Sequence, residues 1–204
     1  MWQHIYGGVV SPDFEFVAVA LDQEGSAAPR PYVERAGLTF PALVDSTGAS
    51  SRLLGFKVVP NGILVDRDGI VRYRKDGGFS HENVADRTAV ERFARGYDPG
   101  PSPESQSPYA LGELERELVD VHLEYGNLLA SLGRTTDAVR EWRAALRLDP
   151  ENKTIRTPIW AALHPERFHP TIDRAWQQQQ FRREREAEIA AGTCGEDGCP
   201  LPSS

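Results

Sequence analysis

The sequence predicts an α/β domain over residues 1–96, followed by an all-α region over residues 113–190. Three observations lead there. In the first half, short apolar runs rich in Val, Ile, Leu and Phe alternate with short helical stretches and glycine turns. Residues 97–112 are crowded with Pro and Ser and read as a stiff, extended connector. Past the connector, apolar residues recur at three- and four-residue steps, the period of an amphipathic helix.

Within the first part, residues 1–8 read as the end of a helix with Trp2, Ile5 and Tyr6 on one side. Residues 14–21 are nearly continuous in apolar side chains, which predicts a strand covered on both faces. Residues 29–36 predict a short helix with proline in its first turn and Gly37 at its end. Residues 38–45 lead into a second extended piece, and residues 50–54 into another short helix closed by Gly55. Residues 62–66 and 70–74 are extended runs joined by Arg67-Asp68-Gly69, which has the turn chemistry of a β-hairpin. Simple alternation places Val71 and Tyr73 on one face of the second run, with Arg72 and Arg74 on the other. Val84, Val90 and Phe93 give residues 82–95 the apolar side of a closing helix, ended by Gly96.

In the second part, Leu118, Val121, His122, Tyr125, Leu128, Leu129 and Leu132 form a helical stripe broken by Gly133. Ala138, Val139, Trp142, Ala145 and Leu146 form another, ending at Asp149-Pro150. A single helical pair cannot bury its own apolar face, so further helix must cover it. Residues 154–163 and 172–189 are the two candidates. The later one turns polar after Trp176 and reads as solvated, and residues 191–204, rich in Gly, Pro and Ser, read as a loose tail.

With 40% hydrophobic and 26% charged residues, the composition is that of an ordinary globular protein. The formal net charge of −7 gives no electrostatic reason to expect nucleic acid or an anionic membrane as partner. No apolar run reaches the length that spans a bilayer, and the N-terminus lacks the basic and apolar regions of a signal peptide. With Met1 as the true start, the expectation is a cytoplasmic protein. The two cysteines, Cys194 and Cys199, are too few for a disulfide framework.

Phe14-Glu15-Phe16-Val17-Ala18-Val19-Ala20-Leu21-Asp22, Phe40-Pro41-Ala42-Leu43-Val44-Asp45, Gly55-Phe56-Lys57-Val58-Val59-Pro60 and Gly62-Ile63-Leu64-Val65-Asp66 follow one another at a familiar spacing. In that order they resemble the later half of the redoxin group of the thioredoxin-like superfamily, the peroxiredoxins and TlpA-type thiol–disulfide oxidoreductases. In those families a Cys-x-x-Cys, or a single peroxidatic Cys, lies upstream of these segments, after the first strand of the core. The resemblance therefore implies a thioredoxin-like domain, N-terminally truncated, without its first strand and Cys motif. It also implies that Pro60 is a cis-proline and that the backbone of Val59 pairs with an extended substrate chain. Asn61 stands where the family commonly has Thr. The alternative is that Pro60 simply starts an edge strand.

Gly126, Gly133, Ala138, Trp142, Ala145 and Pro150 fall where a tetratricopeptide repeat (TPR) places its small, aromatic and proline residues. The helical region is similar to one such repeat, with His122 where the repeat usually has Trp.

Cys194-Gly195-Glu196-Asp197-Gly198-Cys199 is the other candidate site. Thiol–disulfide exchange needs an accessible thiolate and a second thiol within reach, and the two glycines let a short loop close. Glu196 and Asp197 oppose reactivity, because neighbouring carboxylates raise a thiol pKa. Three readings stay open: a redox pair, two soft metal ligands, or an inert tail. Zinc would need two more ligands, for which His164 and His169 are the local candidates. His4 and His81 stand alone, and His122 reads as a packing histidine. Asp22, Asp45 and Asp66 end successive extended runs and read as turn and cap residues. With no Walker motif, Gly-rich dinucleotide loop or Ser-His-Asp arrangement, no cofactor is expected.

The resemblance implies a thiol–disulfide oxidoreductase or a peroxide-reducing relative that acts on a protein or peptide thiol or disulfide. Residues 1–190 contain no cysteine, and this chemistry has no substitute for the thiolate. The domain cannot run the family's reaction in the family's place. Two further readings follow. One is a non-catalytic interaction module that uses the peptide-binding face around Pro60 and the helical repeat, with a homodimer through the helices among its possible assemblies. The other is a fragment whose Cys motif lies upstream of Met1.

Overall fold

The computed structural model describes residues 2–9, 13–22, 25–104 and 109–192. The chain is mixed α/β and divides into two compact units, Met1–Gln106 and Ser107–Ser204.

The first unit runs α1 (Trp2–Gly8), β1 (Ala18–Leu21), α2 (Arg30–Ala36), β2 (Ala42–Asp45), α3 (Ala49–Leu54), β3 (Gly62–Val65), β4 (Val71–Lys75) and α4 (Val84–Ala94). Gly37 closes α2 with φ of 58°, a left-handed cap that a side chain would strain. Asp45 caps α3 from outside the helix, accepting the N–H groups of Ala49 at 3.1 Å and Ser50 at 2.7 Å. Asn83 caps α4, its side-chain oxygen accepting from Ala85 N–H at 2.9 Å.

The strands form two separate pairs. β1 and β2 are parallel, with Ala18 opposite Ala42 and Leu21 opposite Asp45. β3 and β4 are an antiparallel hairpin, with Gly62 opposite Lys75 and Leu64 opposite Tyr73. The core gathers Ile5, Leu64, Tyr73, Ala89 and Val90, ringed by Trp2, Phe14, Phe16, Phe79 and Phe93. Trp2 stacks on Phe79 with centroids 4.8 Å apart. Asp86 is fully buried on α4, where Lys75 Nζ at 2.8 Å and the Ser80 N–H at 2.9 Å supply its partners.

Three expectations need correction here. The strand expected over residues 14–21 is confined to Ala18–Leu21 and is not covered on both faces: Val17 and Val19 are 54% and 48% exposed. Val71 and Tyr73 do not share a face. A β-bulge shifts the register so that Val71 pairs with Val65 while Tyr73 pairs with Leu64, and the inserted residue sends Val71 outward and Tyr73 into the core. Val84 is exposed, and the buried side of α4 is made by Asp86, Ala89, Val90 and Ala94.

The second unit contains α5 (Glu113–Ser131), α6 (Thr135–Leu148), α7 (Lys153–Leu163) and α8 (Arg174–Ala190). Its core joins Val119 and Leu129 of α5, Ala138, Val139, Trp142 and Ala145 of α6, and Ile155 and Ile159 of α7, so α7 is the cover that the helical pair required. Gly126 makes the α5–α6 approach possible: a Cβ there would lie 2.6 Å from the Trp142 indole. Trp142 Nε1 donates to Asn127 Oδ1 at 3.0 Å.

The stripe expected on α5 is turned. Val119, Gly126 and Leu129 face inward, while Leu118, Val121, Tyr125, Leu128 and Leu132 are exposed. The close contact at Gly126 sets which side of the helix meets α6. The polar half of α8 is also more engaged than expected. Arg156, buried on α7, donates to Glu184 Oε2 at 2.6 Å and Glu188 Oε1 at 2.7 Å, and Arg185 pairs with Glu151 at 3.0 Å.

Candidate functional site

The Val59–Pro60 peptide bond is cis, as is His169–Pro170 in the second unit. The loop that carries it is pinned by Asn61, whose side chain donates to the Val58 carbonyl at 2.5 Å and accepts from Gly77 N–H at 2.7 Å. The Phe79 N–H donates to the Pro60 carbonyl at 3.1 Å. Val59 is half exposed beside this fixed turn. Gly62 follows, and a Cβ there would lie 2.5 Å from the Phe79 ring.

Val59 and Pro60 stand on the wall of a groove of about 2070 Å³ in the first unit. Its walls include every residue from 13 to 21 and every residue from 59 to 67. Charge is confined to a few positions along it. Asp66 accepts the N–H groups of Ile70 at 2.9 Å and Asp68 at 3.0 Å and pairs with Arg72 at 2.5 Å, and the Ile70 N–H and Arg72 guanidinium hold its carboxyl below the usual range.

Cys194 and Cys199 lie outside the described residues, and the groove is lined by residues between Trp2 and Pro101. Among the described residues, no group of three His, Cys, Asp or Glu side chains is placed to hold a metal ion. His122 Nδ1 sits 2.9 Å from Glu141 Oε2, and this hydrogen bond lowers the Glu141 pKa. His164 packs against Trp176 with the rings tilted by 59° and centroids 5.0 Å apart. No described helix is long and apolar enough to cross a membrane.

The helical unit presents a second surface. Leu114, Leu118, Val121, Tyr125, Leu128 and Leu132 are between 40% and 66% exposed. Their spacing alternates between four and three residues along α5 and its C-cap, which aligns them as one seam of coiled-coil type. Glu117 and Glu124 flank that seam and are exposed. The stripe itself was legible in the sequence; which of its residues α6 and α7 would leave uncovered was not.

No family model, curated protein or solved structure matches the chain. The chemistry must therefore be read from the site itself. The groove offers backbone polar groups and aliphatic side chains, and the seam offers an apolar helix face.

Proposed function

We propose that the chain is a non-catalytic protein-interaction module, made of a thioredoxin-like, redoxin-type domain joined to a TPR-like helical region. The observation that carries the interaction role is the exposed seam on α5, since a contiguous row of large apolar side chains on a monomer surface marks a docking face. Support for the redoxin-type relationship comes from the element order of the first unit: a parallel pair crossed over by α2, an antiparallel hairpin, then α4. The TPR-like relationship is supported by the Gly126–Trp142 approach. The acidic flanks of the seam favour a helix bearing Lys or Arg beside its apolar stripe.

A thiol–disulfide oxidoreductase activity would rest on Cys194 and Cys199, the chain's only thiols. Two measurements together test the module. In insulin reduction by dithiothreitol, the native chain and a Cys194→Ser/Cys199→Ser variant are expected to run at the same background rate. A faster native rate, lost in the variant, would establish the redox reading instead. A three-heptad helical peptide with leucine at the seam positions and lysine beside them is expected to bind saturably. Val121→Glu/Leu128→Glu should weaken that binding at least tenfold, and unchanged binding would remove the seam as the docking face.

A further inference from the structure

We propose that the α5 seam receives its partner helix antiparallel, and that this helix carries its Lys and Arg residues in its C-terminal half. The inference rests on the interaction-module reading and adds to it the direction and the charge order of the partner.

The seam is uneven along its length. Residues 113–124 contain Glu113, Glu115, Glu117, Asp120 and Glu124 against a single arginine, Arg116. Residues 125–132 carry no charge, and Arg134 follows just past the helix end. With Leu118 and Tyr125 as a positions, the positions that border the seam are Glu115, Glu117, His122 and Glu124 in the first part. In the second part they are Leu129, buried in the core of the unit, and Ser131. The side chains of Glu113, Glu115 and Glu117 have no ion-pair partner among the described residues. The N-terminal half of the seam is therefore a row of leucine and valine edged by uncompensated negative charge.

A partner must bring cations to that end. The direction in which it lies decides what this does to the partner itself. Laid parallel, it would carry its cations in its own N-terminal half, where they oppose its macrodipole and fray its first turns. Laid antiparallel, it carries them in its last turns, where the macrodipole favours them, and the dipoles of the two helices run in opposite directions. Only the antiparallel order serves both helices. The start of the partner then lies over the uncharged residues 125–132, close to Arg134, which pairs with Asp137 yet stays 57% exposed. Asp or Glu suits that place, as it suits the first turn of any helix. The partner is thus an amphipathic helix about as long as the 19 residues of α5, acidic at its start and basic at its end.

A second copy of α5 does not meet this demand. Side by side and parallel, the two acidic halves coincide. Antiparallel, the seam pairs Leu114 with Leu132, Leu118 with Leu128 and Val121 with Tyr125 about an axis near Leu123, which sets Glu124 against its own mate across that axis. Like charges so placed oppose association.

The test uses the full chain and two three-heptad peptides of identical composition, acetylated and amidated, with leucine at the seam positions. One has Glu beside the seam in its N-terminal half and Lys beside it in its C-terminal half; the other has the two exchanged. The first is expected to bind about fivefold more tightly. A nitroxide at its C-terminus should broaden the methyl resonances of Leu114 and Leu118 and spare those of Leu128 and Leu132. Glu113→Lys/Glu117→Lys should cut the preference about threefold, whereas the helicity of the free peptides is untouched by it. A preference that survives this variant belongs to the peptides alone and overturns the proposal. If the variant does not fold, the broadening pattern on the native chain decides. Equal affinities, or broadening at Leu128 and Leu132 instead, overturn the antiparallel order and leave the seam standing as the docking face. Binding of neither peptide removes both. Self-association of the chain that Val121→Glu/Leu128→Glu abolishes would identify a second copy as the occupant and overturn the proposal equally.

Discussion

At the scale of single residues, Asp45 shows how one carboxylate organises a turn. It accepts the N–H groups of Thr47 at 3.1 Å, Ala49 at 3.1 Å and Ser50 at 2.7 Å, and the hydroxyls of Thr47 and Ser50. Burial pushes its pKa up, but the Ser50 hydroxyl and these N–H groups outweigh it and hold the value at about 2. A carboxyl depressed by folding contributes stability that is fully present above its unfolded pKa, about 4, and is lost as pH falls toward 2. Asp45→Asn cannot accept from Ser50 and Ala49 together, and should cost about 1 kcal/mol at neutral pH. The gap to the native chain should close between about pH 5 and pH 2, as measured by thermal unfolding across that range. That Asp45 ends a strand and serves as a cap was legible in the sequence, because a carboxylate just before a short helix has few other roles. Its partner set was not, because it depends on how the chain folds back over residues 45–50.

Packing between elements depends on Gly126 and Trp142. With a Cβ at position 126 only 2.6 Å from the indole, Gly126→Ala should destabilise the helical unit by about 1–3 kcal/mol, read by denaturant unfolding followed by far-UV circular dichroism. This contact was foreseeable, since a small residue and an aromatic at repeat spacing need each other. The bulge in β4 was not, because a period of two has no place for an inserted residue. The docking of α8 escaped for a different reason. Apolar periodicity finds greasy faces, whereas α8 is held by Glu184 and Glu188, one turn apart on Arg156, and by Phe181 lying 4.3 Å from Lys153 Nζ. Two glutamates four residues apart, and an arginine set between apolar residues of α7, were the available signal. The open edge of β1 was legible only as half of an argument: the apolar run over residues 14–21 announces a strand, but how many neighbours a strand has leaves no mark in its own sequence.

Across the whole molecule, the two hydrophobic clusters share no residue, one built within Met1–Gln106 and the other within Ser107–Ser204. Each unit thus has its own core and is expected to unfold as its own cooperative step. In calorimetry of the full chain, Asp45→Asn should lower one transition and Gly126→Ala the other, and a common shift from either substitution would show that the steps are joined. The open edges of β1 and β3 have a cost of another kind. The outer strand β4 carries Arg72, Arg74 and Lys75, charges that discourage stacking against another chain. The inner edges consist of Ala18-Val19-Ala20-Leu21 and Gly62-Ile63-Leu64-Val65, with no charge among them. Short, uncharged, β-prone stretches with unpaired backbone are where ordered aggregation starts. Two such edges side by side make the first unit a template for its own ordered aggregation.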